Sequence, residues 1–266
     1  MSKLAILAGG GALSVRLAKV VPDAVKICFA GAENALGDAA EEHNFEKLGS
    51  LFEALKAKGV TDVVMAGSMA RPPLNPANFD ATMLALAPRI MMAMPKGDDA
   101  LLSLVIAIFE EQGFTMRGAH EIDPSLTATA GVLVGADLSK PAQADADRAI
   151  DILRALSPLD VAQGAVVANG LCYGIETLQG TDALLSFVEA TPAHLRKSGG
   201  VFVKAPKRGQ DLRVDMPTIG PETIKAAAKA GLSAIVIAAG EVILLEREVL
   251  LTLATDAGIS LIAQDI

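Results

Sequence analysis

The 266-residue sequence predicts an α/β protein of two units: a parallel-sheet unit over residues 1–128 and an α/β unit with a mixed sheet over residues 129–266. Three observations carry this. Short apolar runs alternate with longer amphipathic ones along the first half, and strand, helix, strand in that rhythm means parallel pairing through right-handed crossovers. Asn169-Gly170 stands between two apolar runs, a two-residue hairpin signal that brings antiparallel pairing into the second half. Hydrophobic residues make up 52% of the chain but aromatic ones only 3%, with no Trp. The cores must therefore be packed from Ala, Val, Leu, Ile and Met.

Leu4-Ala5-Ile6-Leu7 reads as the first strand, and it runs into Ala8-Gly9-Gly10-Gly11-Ala12-Leu13 ahead of a helical pattern over 14–21. Glycines at a strand-to-helix turn let the backbone approach a phosphate, while the helix N-terminus supplies N–H groups and a favourable dipole. The turn makes the first unit Rossmann-like. It also makes Gly10, Gly11, Ala12 and Leu13 candidates for holding a nucleotide through the backbone. Ser14 stands where a full GxGxxG has its third glycine, so the turn suits mononucleotides and nucleotide-sugars as readily as dinucleotides. The other reading is a tight turn without a ligand.

A second strand over 25–30 is followed by an amphipathic run over 47–58 and by the strand Val63-Val64-Met65-Ala66-Gly67. The loop Gly67-Ser68-Met69-Ala70-Arg71-Pro72-Pro73-Leu74 then lies at a strand C-terminus, where ligands sit in open α/β sheets. Ser68 and Arg71 are its candidates, Arg71 either as a bidentate phosphate clamp or as a surface residue before a rigid Pro-Pro turn. Lys96-Gly97-Asp98-Asp99 opens a helix through Gln112. One Asp is explained as an N-cap; a second, behind a Lys, is open to a ligand or metal role, so Lys96, Asp98 and Asp99 join the candidates. A strand over 114–119 ends at His120, read as a phosphate or ring contact or as a satisfied structural histidine.

Between Asp123 and Asp145 the pattern breaks into Pro, Thr, Gly, Ala and Ser, which reads as the connection between units, with the boundary near Thr129. A helix over 145–156 leads to the hairpin, which ends at Ile175, and Gly180-Thr181-Asp182 starts the next helix. Thr181 and Asp182 are read either as an oxyanion site or as helix capping. After the strand Gly200-Val201-Phe202-Val203 comes KAPKRGQDLRVDMPTIG, Lys204 to Gly220, which packs four cations, two acids and the Gln210 amide into seventeen residues. Lys204, Lys207 and Arg208 can neutralise an anion. Asp211, Arg213 and Asp215 alternate at strand spacing, which puts them on one face. Cations that hold oxyanions, and acids that hold a metal or orient water, are the parts of a metal-assisted phosphoryl transfer. The other reading is a solvated edge strand with surface ion pairs. Helices over 223–230 and 245–257 and strands over 234–238 and 260–263 complete the second unit.

The longest apolar runs, 100–109 and 232–245, are shorter than the roughly 20 residues that span a bilayer. The apolar N-terminus meets glycines without a cleavage site, so neither a transmembrane helix nor a signal peptide is expected. Cys28 and Cys172 lack metal-ligand spacing and are expected to be small buried residues in a reducing cytoplasm. A net charge of −8 argues against nucleic acid as the main partner.

Taken together, AGGGALSVRLA, GSMARP, KGDDALL, GFTMRGAHEI, GIETLQGTDALL and KAPKRGQDLRVDMPTIGP resemble the UDP-2,3-diacylglucosamine pyrophosphatases of the LpxI type, bacterial enzymes of lipid A biosynthesis. The likeness covers nearly the whole chain, and the last three motifs are long and specific. It implies a Mg²⁺-dependent hydrolase that cleaves UDP-2,3-diacylglucosamine by water attack on the α-phosphorus, giving UMP and 2,3-diacylglucosamine 1-phosphate, lipid X. The essential aspartate of the family's DxPTIG motif corresponds to Asp215. Asp215 is thus the expected catalytic residue and, with Asp99, an expected Mg²⁺ ligand. Both acyl chains are expected mainly on the C-terminal half, whose Ala, Leu and Val helices can line a groove without aromatics. A homodimer and transient contact with the inner face of the inner membrane accord with this reading. Ser14 departs from the Pro common in the family at that place. The competing reading is a nucleotide-sugar or lipid-phosphate binding protein without chemistry. An NAD-dependent oxidoreductase is disfavoured because the run 25–30 does not end in an acid for a ribose.

Overall fold

The computed structural model describes residues 2–69, 74–192, 194–195 and 199–266. The chain divides into two compact units: Met1–Pro124 with Asp211–Asp215, and Ser125–Gln210 with Met216–Ile266.

In the first unit the chain runs through β1 (Leu4–Ala8), α1 (Ala12–Val20), β2 (Val25–Phe29), β3 (Glu41–His43), α2 (Leu48–Ala57) and β4 (Asp62–Ala66). It continues through α3 (Ala81–Ala93), α4 (Asp98–Glu111), β5 (Thr115–Arg117) and the one-turn α5 (Ala119–Ile122). The strands are all parallel in the order β3-β2-β1-β4-β5, which is that of the first five strands of a doubly wound sheet. Central β1 is buried at every position, as a parallel strand covered on both faces must be. Beside it, Phe52 of α2 packs edge-on against Phe109 of α4, with centroids 5.2 Å apart. The strand order reverses at β1 and β4, so the turns that follow these two strands lie side by side at their C-terminal ends.

The second unit contains β6 (Gly131–Val134), α6 (Lys140–Leu156), β7 (Gly164–Ala168), β8 (Leu171–Ile175), α7 (Gly180–Glu189) and β9 (Val201–Lys204). It is completed by β10 (Thr218–Ile219), α8 (Pro221–Lys229), β11 (Ala234–Ala238), β12 (Ile243–Leu244), α9 (Arg247–Asp256) and β13 (Ser260–Gln264). Its main sheet, β6-β13-β11-β9-β7-β8, is parallel from β13 to β9 and antiparallel outside that stretch. The parallel first sheet and mixed second sheet are as the sequence predicts. Asn169 and Gly170 both have positive φ, 52° and 77°, the conformation a type I′ hairpin turn demands. Asp145 of α6 accepts both of their N–H groups, at 2.8 and 2.7 Å.

Local expectations are corrected at several points. The supposed connection over 123–145 contains β6, and α6 begins at Lys140, not Asp145; a four-residue, half-exposed edge strand is too short to show as an alternation. The run 114–119 stops being a strand at Arg117, so His120 lies in α5 and not at a strand end. Residues 211–215 form a turn, not a strand. Helix α3 carries Pro88 in its interior, which hides it from pattern reading, and is started by Asp80, whose Oδ1 accepts from Met83 N at 2.7 Å. Both cysteines are free thiols, Cys28 buried but Cys172 exposed on β8. Among the described residues no helix is long and apolar enough to cross a membrane.

Candidate active site

The glycine turn after β1 is zipped to the turn after β4. Gly9 N donates to Ala66 O and Gly10 N to Ser68 O, each at 2.8 Å, and Ser68 N donates back to Gly10 O at 3.0 Å. Only glycine fits here: a Cβ on Gly9 would stand 2.2 Å from Ser68 O, and one on Gly67 2.2 Å from Gly10 O. The Gly10 N–H is therefore used inside the protein, against the expectation that it faces a phosphate, and Ser68 enters the site through its backbone. The donors that remain are those that open α1. Ala12 and Leu13 are in its first turn, where N–H groups have no intrahelical acceptor, and the N-cap Gly11, with φ 86°, sets no side chain over them. Ser14 is fully buried with its hydroxyl 3.3 Å from the carbonyl oxygens of Gly9 and Gly11, which explains a serine at the third glycine position.

Sequence reasoning missed Glu33. A Cβ on Gly10 would stand 2.3 Å from the Glu33 carboxylate, so this acid lies over the glycine turn. The acid lies beyond the run 25–30, and the loop after β2 brings it back.

A second group in the same unit gathers around Gly118. The His120 ring lies over this glycine, whose Cβ would be 2.5 Å from Cε1, and Arg213 Cα would be 3.4 Å away on the same atom. His120 Nδ1 is buried and has no hydrogen-bond partner among the described residues, a condition that marks a polar atom for a water, an ion or a ligand. The turn over 211–215 is closed by Arg213 N donating to Asp211 Oδ1 at 3.0 Å and Asp215 N to Asp211 O at 3.2 Å. Arg213 grips Asp211 through Nε (3.0 Å) and Nη2 (2.7 Å), and Glu110 of α4 through Nη1 (2.8 Å). The Arg213 hydrogen bonds hold the Asp211 carboxyl below the usual carboxylate range, and Asp211, aided by Glu110, pushes the guanidinium further up. Val214 packs on the apolar core of the first unit. Asp215 ends this anchored turn. In α4, Gly97 (φ 104°) takes the N-cap position without a side-chain cap, so Asp98 and Asp99 stand in the first turn, just after Lys96. Arg71 lies outside the described residues.

In the second unit Lys204 is buried. Its Nζ donates to Glu176 Oε1 and Oε2, at 2.9 and 2.7 Å, and to Thr181 Oγ1 at 2.8 Å. Thr181 is thus tied to β9 and not to the cap of α7, which is Gln179; Asp182 is exposed in the first turn. Gln210 Oε1 accepts from Gln163 Nε2 and Lys207 N, both at 2.9 Å, closing its own loop. Among the described residues no group of three or more His, Cys, Asp or Glu is placed to hold a metal ion. A cation that takes one or two carboxylates and completes its shell with phosphate and water, as Mg²⁺ does, needs no such group.

Comparison with known proteins accords with these motifs. A family model described as the LpxI N-terminal domain matches residues 3–126, and one described as the LpxI C-terminal domain matches residues 129–262. A curated relative from Caulobacter vibrioides (strain ATCC 19089 / CIP 103742 / CB 15), UDP-2,3-diacylglucosamine pyrophosphatase LpxI, is 38% identical over 275 residues, covering 100% of this chain and 98% of the relative.

Proposed function

The chain belongs to the LpxI family, and from that membership we propose that it is a hydrolase of UDP-2,3-diacylglucosamine, forming UMP and 2,3-diacylglucosamine 1-phosphate. The observation that carries the reading is the match to a pyrophosphatase along the whole chain. The structure supports it by grouping Asp215 with the unit that holds the glycine turn, although Asp215 lies far along the sequence.

In this reading water attacks the α-phosphorus, the bond from that phosphorus to the bridging oxygen breaks, and the sugar phosphate leaves. Asp215 orients the water and accepts its proton. The α1 N-terminus at Gly11, Ala12 and Leu13 faces the nucleotide phosphate with its N–H groups and dipole. Glu33, over the glycine turn, accepts from the ribose hydroxyls, as an acid after the second strand does in doubly wound sheets. Buried His120 Nδ1 is the group proposed to meet a phosphate oxygen. Asp215 and Asp99 are the proposed holders of Mg²⁺, which when bound neutralises pyrophosphate charge. With acyl chains on its substrate, the enzyme is proposed to work in the cytoplasm at the inner membrane surface.

The test is hydrolysis of UDP-2,3-diacylglucosamine by the purified protein in heavy-oxygen water, with Mg²⁺ or with EDTA. Label in UMP is expected, and label in the sugar phosphate would move the attack to the other phosphorus. Activity undiminished by EDTA would remove the metal, and no hydrolysis under either condition would reject the reading.

A further inference from the structure

Leu7, Phe29 and Met65, at the C-terminal ends of β1, β2 and β4, form the floor of a cavity of about 160 Å³ within the first unit. Among the described residues, every side chain around it is Leu, Ile, Val, Met or Phe. Helix α4 supplies one face, through Leu101, Leu104, Val105 and Ile108, the spacing of a single helical stripe. Met94, which is 42% exposed, stands at its edge, so the space reaches the surface.

We infer that this cavity seats the terminal part of one fatty acyl chain of the substrate. The inference rests on the proposed function and places an acyl contact in the N-terminal unit, where the sequence expectation looked to the C-terminal half. Four features support an alkyl chain as the occupant. A void lowers stability in proportion to its volume, so one kept beside a candidate site points to use. A dry cavity of roughly 150 Å³ with aliphatic and aromatic walls accommodates a group of about six carbons, which matches the end of an alkyl chain and leaves no partner for a polar one. Met65, Met69, Met83 and Met94 line it, four of the nine methionines in the chain, and methionine reshapes itself around flexible apolar ligands. Met69 also follows Ser68, which is hydrogen-bonded to Gly10 in both directions, so the cavity wall adjoins the turn proposed to hold the nucleotide. By contrast, a cavity described in the second unit is lined by Gln143, Asp147, Asp151 and Arg154 among others, a surface suited to polar ligands.

The experiment uses the full chain with Val105→Trp, which fills the cavity, and Leu104→Ala, which enlarges it. One arm measures binding of cis-parinaric acid, a fluorescent long-chain fatty acid. The other compares kcat/KM on UDP-glucosamine bearing long acyl chains with that on its diacetyl counterpart. Wild type is expected to bind the fatty acid saturably and to prefer the long-chain substrate. Val105→Trp should weaken probe binding and shrink the long-chain preference by about 10- to 100-fold, given the burial free energy of a few methylenes. Leu104→Ala should move the optimum to longer or bulkier chains, and decides the matter if the tryptophan variant does not fold by circular dichroism. Folded Val105→Trp that binds the probe as wild type does, or Leu104→Ala with an unchanged chain profile, would make the cavity a packing void only. Wild-type protein that hydrolyses neither substrate would reject the functional reading, while the probe arm still decides whether the cavity takes an alkyl chain.

Discussion

Glu176 and Lys204 allow a prediction worked from geometry alone. The Lys204 side chain is 4% exposed and that of Glu176 11%, and they meet at 2.7 Å. Thr181 Oγ1 donates to Glu176 Oε1 at 3.0 Å, and a Cβ on Gly164 would be 2.5 Å from Glu176 Oε2, so the carboxylate is pressed against β7. Removing one partner of a buried ion pair costs about 3–5 kcal/mol because the other charge stays buried, while replacing both by apolar groups is often neutral. Glu176→Leu and Lys204→Met should each lower the melting temperature by about 6–20 °C, at roughly 2–4 °C per kcal/mol, and the double variant should recover most of the loss. Calorimetry and circular dichroism on the full cycle read this directly. Losses that simply add in the double variant would refute the pairing argument. A normal melting temperature with a raised KM in Lys204→Met would show instead that the ammonium serves the substrate.

Asp215→Asn should lower kcat about 10²–10⁴-fold with substrate affinity and melting temperature near wild type; near-normal turnover with a lowered melting temperature would leave Asp215 structural. Gly9→Ala forces a Cβ to 2.2 Å from Ser68 O, whereas Gly11→Ala meets nothing within 4 Å and bears only the strain of its positive φ, about 1–3 kcal/mol. Thermal melts should therefore show Gly9→Ala as the more damaging, and the reverse order would dissolve the argument from close approach. Arg213 depresses the Asp211 carboxyl, so this contribution to stability is complete above the ordinary carboxylate value of about 3.9 and disappears as pH falls through the lower folded value. Arg213→Met should accordingly flatten the decline in melting temperature below about pH 4, and an unchanged acid limb would count against the pair.

The elements legible in the sequence are those whose signal is local and complete. β1 and β11 are unbroken apolar runs buried at every residue, and the Asn169-Gly170 turn needs no partner to be recognised. What escaped depends on contacts distant in sequence. β6 exists because it pairs with β13, more than a hundred residues on, and α3 tolerates Pro88 in a tertiary setting that composition does not record. The glycine turn shows its residue type in the sequence but only part of the reason for it. Gly9 and Gly10 are glycine because the turns after β1 and β4 touch, which leaves the ligand-facing role to the start of α1. Glu33 was invisible because it reaches Gly10 through the fold of a loop, not through a fixed offset.

The alternation Asp211-Leu212-Arg213-Val214-Asp215 shows how a local pattern can be overruled. Read by period it is a strand with three charges on one face. In the fold, the Asp211 side chain accepts the Arg213 N–H and its carbonyl oxygen is met by the Asp215 N–H, so side chain and main chain close a turn in place of a ladder. The turn gains its place from Val214 in the apolar core of the first unit and from Arg213 bonded to Glu110. Two residues after Asp215, Pro217 already accepts from Ile243 N in the second unit. A five-residue excursion therefore delivers the proposed catalytic carboxylate to the glycine-turn unit. The turn that carries Asp215 is seated by a partly buried valine and a doubly bonded arginine just before it. That is why the motif reads clearly as chemistry and poorly as structure: the polar residues announce a reaction, and the residue that seats them is an ordinary apolar one.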